Sequence, residues 1–172
     1  MRTVETKVYT FEELSQDAQE NALYQFWHHT EYPWQGEVKD TLDAFTDLFD
    51  FSVYHWEYDS IMASFRESFP EYYHELKNNV AREWFKRQSK IIYNDDCPLT
   101  GYYLDVDILH PIRTFVDVNL RTDSVADILS ECVDNFFAAV VQDVEYYYSI
   151  ESFAEHCAMN EYEFLENGDF YK

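Results

Sequence analysis

Glycine and proline are scarce in this chain, with only 3 Gly and 4 Pro in 172 residues. Because these residues form most tight turns, their scarcity favours helices over a sandwich of many short strands. Hydrophobic residues make up 47% of the sequence, which is enough to bury a core. The sequence therefore predicts an α+β fold, a helix-rich single domain over residues 1–172 with a small antiparallel sheet.

Three segments are expected to supply that sheet. Residues 3–11 and 52–58 both alternate in side-chain character along the chain, as strands do. Residues 162–171 are predicted to form a C-terminal hairpin, because Asn167-Gly168 is a favoured dipeptide for a tight turn.

Apolar residues spaced by three and four predict the helices between these strands. Ser15 is a candidate N-cap for the first helix, and Pro70 is expected to divide the third. The predicted helices cover approximately residues 15–29, 36–50, 60–92, 111–120, 123–148 and 151–158.

The net charge is −22, from 34 acidic residues against 12 Lys and Arg. Self-repulsion of this size opposes compaction, so it suggests a need for solubility, for a basic partner or for exclusion of nucleic acid. Direct binding of DNA or RNA is not expected, because phosphate contacts require a basic surface.

The sequence predicts a cytoplasmic protein. Residues 1–5 are not followed by an apolar segment, and the longest apolar run, 136–141, is too short to span a membrane. Cys97, Cys132 and Cys157 are odd in number and widely spaced, which favours free thiols in a reducing compartment.

Motifs for catalysis or for cofactor binding are absent from the sequence. His28-His29 are adjacent, so on a helix they cannot chelate a metal together. Asp95-Asp96-Cys97 and Asp105-Val106-Asp107 could hold a cation if 102–108 is extended, yet no third ligand accompanies them. We predict no enzyme, no cofactor and no metal, although scattered carboxylates leave no signature that would exclude an enzyme.

Two rows of acidic residues, each on one predicted helix face, are the candidate partner-binding residues. Within each row the acids are three or four residues apart, and like charges at such spacings on a helix repel by about 0.2–0.5 kcal/mol per pair. Replacing these acids with lysine is therefore expected to preserve or improve folding. The basic residues gather instead between Lys77 and Lys90. Two interpretations stay open: ordinary solvated faces, or rows of carboxylates that imitate a phosphate backbone. The rows are Asp40, Asp43, Asp47 and Asp50, and Asp123, Asp127, Glu131 and Asp134.

Three segments together resemble a family of small, mostly uncharacterised proteins of bacteriophages and other bacterial mobile elements, some labelled antitoxins. The segments are Lys7-Val8-Tyr9-Thr10-Phe11-Glu12-Glu13-Leu14-Ser15, Cys97-Pro98-Leu99-Thr100-Gly101-Tyr102, and Asn160-Glu161-Tyr162-Glu163-Phe164 followed by Asn167-Gly168. The resemblance carries no known active site. It implies a phage-like gene context, in which small acidic proteins often block host defence nucleases.

Charge and resemblance together predict a non-enzymatic inhibitor that binds a nucleic-acid-binding bacterial defence protein by mimicry or occlusion. Its expected partner is a basic protein of the bacterial host cytoplasm, with no direct contact to nucleic acid or membrane. The alternatives are an antitoxin-like or regulatory protein that binds a basic partner, and a carboxylate enzyme without a recognisable motif.

Overall fold

The computed structural model describes residues 5–94, 96, 98–118 and 122–171. The chain forms two compact units, a terminal unit of Met1–Tyr32 with Val144–Lys172 and a central unit of Pro33–Asp143. Helices dominate the described residues, and one two-stranded antiparallel sheet accompanies them, which confirms the predicted helix-rich α+β class. The elements are α1 (Gln16–Trp27), α2 (Gln35–Phe49), β1 (Ser52–Tyr58), β2 (Ala63–Ser68), α3 (Asn78–Lys86), α4 (Ser89–Ile92), α5 (Asp105–Asp117), α6 (Val125–Tyr147) and α7 (Ile150–Met159).

The terminal unit contains α1 and α7 around an aromatic core. Ser15 caps α1 as predicted, since its Oγ accepts a hydrogen bond from the Ala18 N–H at 3.4 Å. The core residues are Phe11, Leu14, Ala18, Ala22, Leu23, Phe153, Cys157 and Phe164. Cys132 of α6 and Cys157 are buried thiols outside any disulfide, in agreement with the predicted state of the cysteines. Cys97 lies outside the described residues.

The predicted N-terminal strand and C-terminal hairpin are reduced to isolated bridges. Tyr9 and Phe164 exchange two backbone hydrogen bonds of 2.9 Å, and Phe164 also pairs with Phe170. The predicted tight turn at Asn167-Gly168 is present, with Gly168 at a φ of 87°. Residues 3 and 4 of the predicted strand lie outside the described residues.

The helix predicted from residue 60 is wrong over its first part, where the chain forms β2. Asp59 accepts hydrogen bonds from the N–H groups of Ile61 and Met62 (2.7 and 2.9 Å), and this turn sends the chain back along β1. Phe65 of β2 then stacks on Phe137 of α6, with ring centroids 5.0 Å apart. Because a strand buries every second residue, Ala63, Phe65 and Glu67 are half-buried while their neighbours are exposed.

The segment from 102 to 108 is not extended, in contrast to the prediction. The helix α5 begins at Asp105 and therefore includes the second half of this segment. Before it, the chain forms a short 3-10 helix after Pro70, followed by α3 and α4. The longest helix, α6, begins two residues later than predicted and ends one residue earlier, at Tyr147.

Candidate acidic binding surface

The first predicted row of acids lies on the exposed side of α2. Apolar residues of this helix fill the core of the central unit, so the opposite side faces solvent. Asp50 follows the last helical residue and adopts a left-handed conformation, with a φ of 54°. All four carboxylates are exposed, and we call Asp40, Asp43, Asp47 and Asp50 the α2 acidic face.

One cation of α2 engages this face. The Lys39 ammonium pairs with Asp43 one turn away, and its hydrogen bond and attraction to that carboxylate raise the pKa of Lys39, with a smaller contribution from Asp40. Both side chains are exposed, so the pair contributes little to stability. Among the described residues, Asp40, Asp47 and Asp50 form no ion pair, and the face therefore keeps a net negative charge.

The second predicted row is not a uniform solvated face. Asp123 precedes α6, while Asp127 is exposed in its first turn, three residues after the N-cap Ser124. The N–H and hydroxyl of Ser124 donate to Asp127 Oδ2 at 2.9 and 2.7 Å, and the Asp127 N–H donates to Ser124 Oγ at 3.2 Å. These hydrogen bonds lower the pKa of Asp127. A lysine at this position would remove the acceptor of the Ser124 N–H and hydroxyl, although Ser124 would remain the N-cap. Asp127→Lys is therefore expected to cost up to about 1 kcal/mol, in contrast to the expectation of an unharmed fold.

Glu131 and Asp134, which complete the second row, lie in a carboxylate cluster with Glu67 of β2. Asp134 is exposed, but partial desolvation raises its pKa, and the charge of Glu131 raises it further. Burial also raises the pKa of Glu67, where the Ser130 hydroxyl donates to Oε2 at 2.6 Å and the Asp134 charge opposes ionisation. The other oxygen of Glu67 is buried without a hydrogen-bond partner among the described residues. Sequence analysis missed Glu67 because the segment was interpreted as helix.

Replacing Glu67 with Gln is expected to increase the free energy of unfolding at pH 7 by up to about 1 kcal/mol, since it removes a half-buried charge. The folded-state pKa is raised above the ordinary value of 4.5, so the folded protein holds this proton more tightly than the unfolded chain. The contribution of the protonated Glu67 side chain to the stability of the folded protein is therefore fully present below pH 4.5. It is lost as the pH rises through the folded-state pKa.

The measurement is urea denaturation of both proteins between pH 3 and pH 8. The stability difference between Glu67→Gln and the wild type should vanish at the acidic end and grow toward pH 7. Glu75→Gln, which changes an exposed carboxylate of the same unit, is the control and should not alter the profile. A constant difference across the pH range would contradict the assignment.

The basic residues between Lys77 and Lys90 are partly used inside the fold. The guanidinium of buried Arg82 donates to the carbonyl oxygens of Phe115 (3.3 and 3.2 Å) and Val118 (3.0 Å), where it satisfies the C-terminal end of α5. Lys86 pairs with Glu83 at 2.8 Å. The apparent basic cluster therefore does not form a uniform basic patch.

Asp105 is a buried structural residue, which overturns its interpretation as half of a cation site. Its Oδ2 accepts hydrogen bonds from the N–H groups of Leu99, Thr100 and Gly101 (2.9, 2.8 and 3.0 Å), and its Oδ1 accepts from the hydroxyls of Thr41 and Thr100 (3.0 and 3.1 Å). Residues 98–101, which belong to the middle segment of the family resemblance, thus form a loop around one carboxylate.

Asp105 and Asp107 also cannot converge on one ion, because two residues apart on α5 they point in different directions. In the other candidate segment, Asp95-Asp96-Cys97, Asp95 and Cys97 lie outside the described residues. Among the described residues, no group of three His, Cys, Asp or Glu side chains could hold a metal ion.

A cleft of about 550 Å³ opens beside the α2 acidic face, within the central unit. Asp40 lines it together with Glu37, and three aromatic residues, Trp34, Tyr102 and Tyr103, form the rest of its wall with the loop that surrounds Asp105. The sequence gives no sign of this cleft, because its residues come from separate segments of the chain.

No protein-family model matches the chain, and no curated protein or solved structure shows significant similarity to it. Within the described residues, none of the helices combines the length and the apolar character that a membrane crossing requires.

Proposed function

We propose that the protein is a non-enzymatic inhibitor that binds a nucleic-acid-binding protein of bacterial defence, a CRISPR effector or a restriction system. In this proposal the α2 acidic face occupies the basic groove that otherwise holds DNA or RNA. The resemblance to phage and mobile-element proteins suggests the biological setting, and the net charge of −22 suggests the sign of the partner surface.

The α2 acidic face is the single observation that carries this proposal. Asp40, Asp43 and Asp47 are exposed and spaced by three and four residues on α2, so their carboxylates recur about once per helical turn over roughly 10 Å. Exposed Asp50 follows just past the end of the helix. The phosphates of one DNA strand follow each other at a rise of about 3.4 Å, so the helix presents a sparser row of the same sign. Such a row attracts a surface built to neutralise phosphates, while a nucleic acid would be repelled.

Asp47→Lys is expected to weaken binding to the partner about tenfold while the protein folds at least as well as the wild type. The new ammonium lies four residues after Asp43 on α2, so it replaces one repulsive neighbour pair by an attractive pair worth a few tenths of a kcal/mol. The measurement is inhibition of DNA cleavage and direct binding, on a panel of purified CRISPR effectors and restriction enzymes.

The matched control is Glu166→Lys, which makes the same change in net charge at an exposed position outside α2. Excess DNA or guide RNA should displace the wild-type protein from its partner. Binding that survives both Asp47→Lys and excess nucleic acid contradicts mimicry. Binding to a basic toxin that nucleic acid does not displace would instead support the antitoxin-like alternative.

A further inference from the structure

The cleft beside α2 combines an aromatic wall with two carboxylates. The rings of Trp34 and Tyr102 lie 6.1 Å apart at an angle of 32°, and those of Tyr102 and Tyr103 lie 4.7 Å apart at 67°. Trp34 and Tyr103 are 44% and 47% exposed although they belong to this ring cluster. Two large aromatic faces are therefore open to a ligand.

Glu37 and Asp40 supply the charge on the other side of the cleft. They are three residues apart on α2, so their carboxylates are neighbours on the helix surface. Lys39, the cation next to them in sequence, pairs with Asp43 instead. The carboxylates are thus available to a cation that enters the cleft.

Tyr103 contributes a neutral and electron-rich ring. Burial raises its pKa, and a hydrogen bond to Asp143 raises it further. A phenol that donates to a carboxylate keeps its proton and gains electron density in the ring, which strengthens the attraction of a cation to the ring face.

The local electrostatics favour a cation even though two helices begin nearby. Trp34 is the N-cap of α2, and Tyr102 and Tyr103 precede α5, so each helix contributes a partial positive charge of about +0.5. The carboxylates of Glu37, Asp40 and the buried Asp105 outweigh both partial charges.

We propose that this cleft binds the guanidinium group of an arginine side chain of the partner, which deepens the proposed function and rests on it. A guanidinium is planar, so it stacks on the open aromatic faces of Trp34 and Tyr103 while its N–H groups donate to Glu37 and Asp40. A cavity of about 550 Å³ is large enough for one long side chain. An ammonium group would gain the charge attraction but not the planar stacking.

The test uses the full-length protein alone, titrated with Nα-acetyl-arginine amide and followed by the NMR signal of the Trp34 indole N–H. We expect a dissociation constant on the order of 1 mM, typical for so small a ligand. Nα-acetyl-citrulline amide has nearly the same shape without the charge and should bind at least tenfold more weakly. Equal binding of both ligands, or binding of neither, would overturn the proposal.

Two variants locate the binding. The double variant Glu37→Gln with Asp40→Asn, followed by the Trp34 indole signal, should weaken arginine binding at least fivefold. The single variant Trp34→Ala, followed by the backbone N–H signal of Gly101 in the same cleft, should weaken it as much. The controls are Asp47→Asn, an acid of α2 outside the cleft, and Trp27→Ala, an exposed tryptophan of the terminal unit; neither should change it. If Asp47→Asn weakens binding as much as the double variant, the arginine responds only to overall charge and the cleft is not its site.

The two proposals fail separately. If arginine does not bind but Asp47→Lys still weakens binding to a defence nuclease as expected, the assignment of the cleft is wrong and the acidic face remains. If arginine binds as expected but no defence nuclease is inhibited, the cleft stands and the proposed function is wrong.

Discussion

Gly168→Ala is expected to destabilise the protein by about 4 kcal/mol and to lower its melting temperature by about 10 °C. A Cβ atom at this position would lie 2.0 Å from the backbone oxygen of Ala18 in α1, and a backbone oxygen cannot rotate away as a side chain does. The residue also has a φ of 87°, a left-handed conformation that costs an L residue about 1–2 kcal/mol. Thermal and urea denaturation measure both effects.

The other two glycines separate the steric from the conformational cost. Gly101 has nearly the same φ, 89°, but no atom lies within 4 Å of its Cβ position, so Gly101→Ala should cost only about 1 kcal/mol. Gly36 lies in α2 with open space around it, and Gly36→Ala should stabilise by about 0.5 kcal/mol. If Gly168→Ala costs no more than Gly101→Ala, the turn does not pack against α1 as described.

Asp105→Ala is expected to cost about 3 kcal/mol, because it leaves three loop N–H groups and two hydroxyls without their acceptor. Asp105→Asn should cost less. Its remaining oxygen can keep the N–H groups of Leu99, Thr100 and Gly101, while its amide can donate to the threonine hydroxyls once these rotate. In urea denaturation, the wild type is expected to be the most stable, Asp105→Asn less stable and Asp105→Ala the least stable.

Asp107→Asn is the matched control on the same helix. Burial raises the pKa of Asp107, so its ionised form is disfavoured in the folded protein, and the neutral amide should be harmless or slightly stabilising near pH 7. Equal losses for Asp105→Ala and Asp107→Asn would contradict a specific role of Asp105. The loop also lines the cleft, so Asp105→Ala should weaken arginine binding as well.

Several acids that contribute to the charge of −22 are used by the fold itself. The Thr10 N–H donates to Glu13 at 2.9 Å, Asp59 closes the turn between β1 and β2, and Asp127 accepts hydrogen bonds at the start of α6. Asp169 accepts a hydrogen bond from Gln25 of α1 at 2.8 Å, and hydrogen bonds of this kind lower its pKa. A count of acidic residues therefore overstates the acidic surface. Asp40, Asp47 and Asp50 of the α2 acidic face, in contrast, are exposed and form no ion pair among the described residues.

The sequence alone determined the features that depend on local spacing. Apolar residues at three- and four-residue intervals defined α2 and α6 closely, because a helix repeats every 3.6 residues wherever it packs. The exposed position of the α2 acidic face followed from the same periodicity. Ser15 and Asn167-Gly168 were also recognisable, since caps and tight turns depend on a few adjacent residues.

The tertiary structure decided the features that depend on distant partners. The segment of β2 has residues that suit a helix as well, and it became a strand because Asp59 turns it back along β1 and Phe65 stacks on α6. Asp105 is a buried hydrogen-bond acceptor only because Thr41 of α2 and the loop before α5 come together around its carboxylate. The burial of Glu67 and the cleft arise in the same way, since burial and electrostatic environment are set by neighbours in space that a single sequence does not specify.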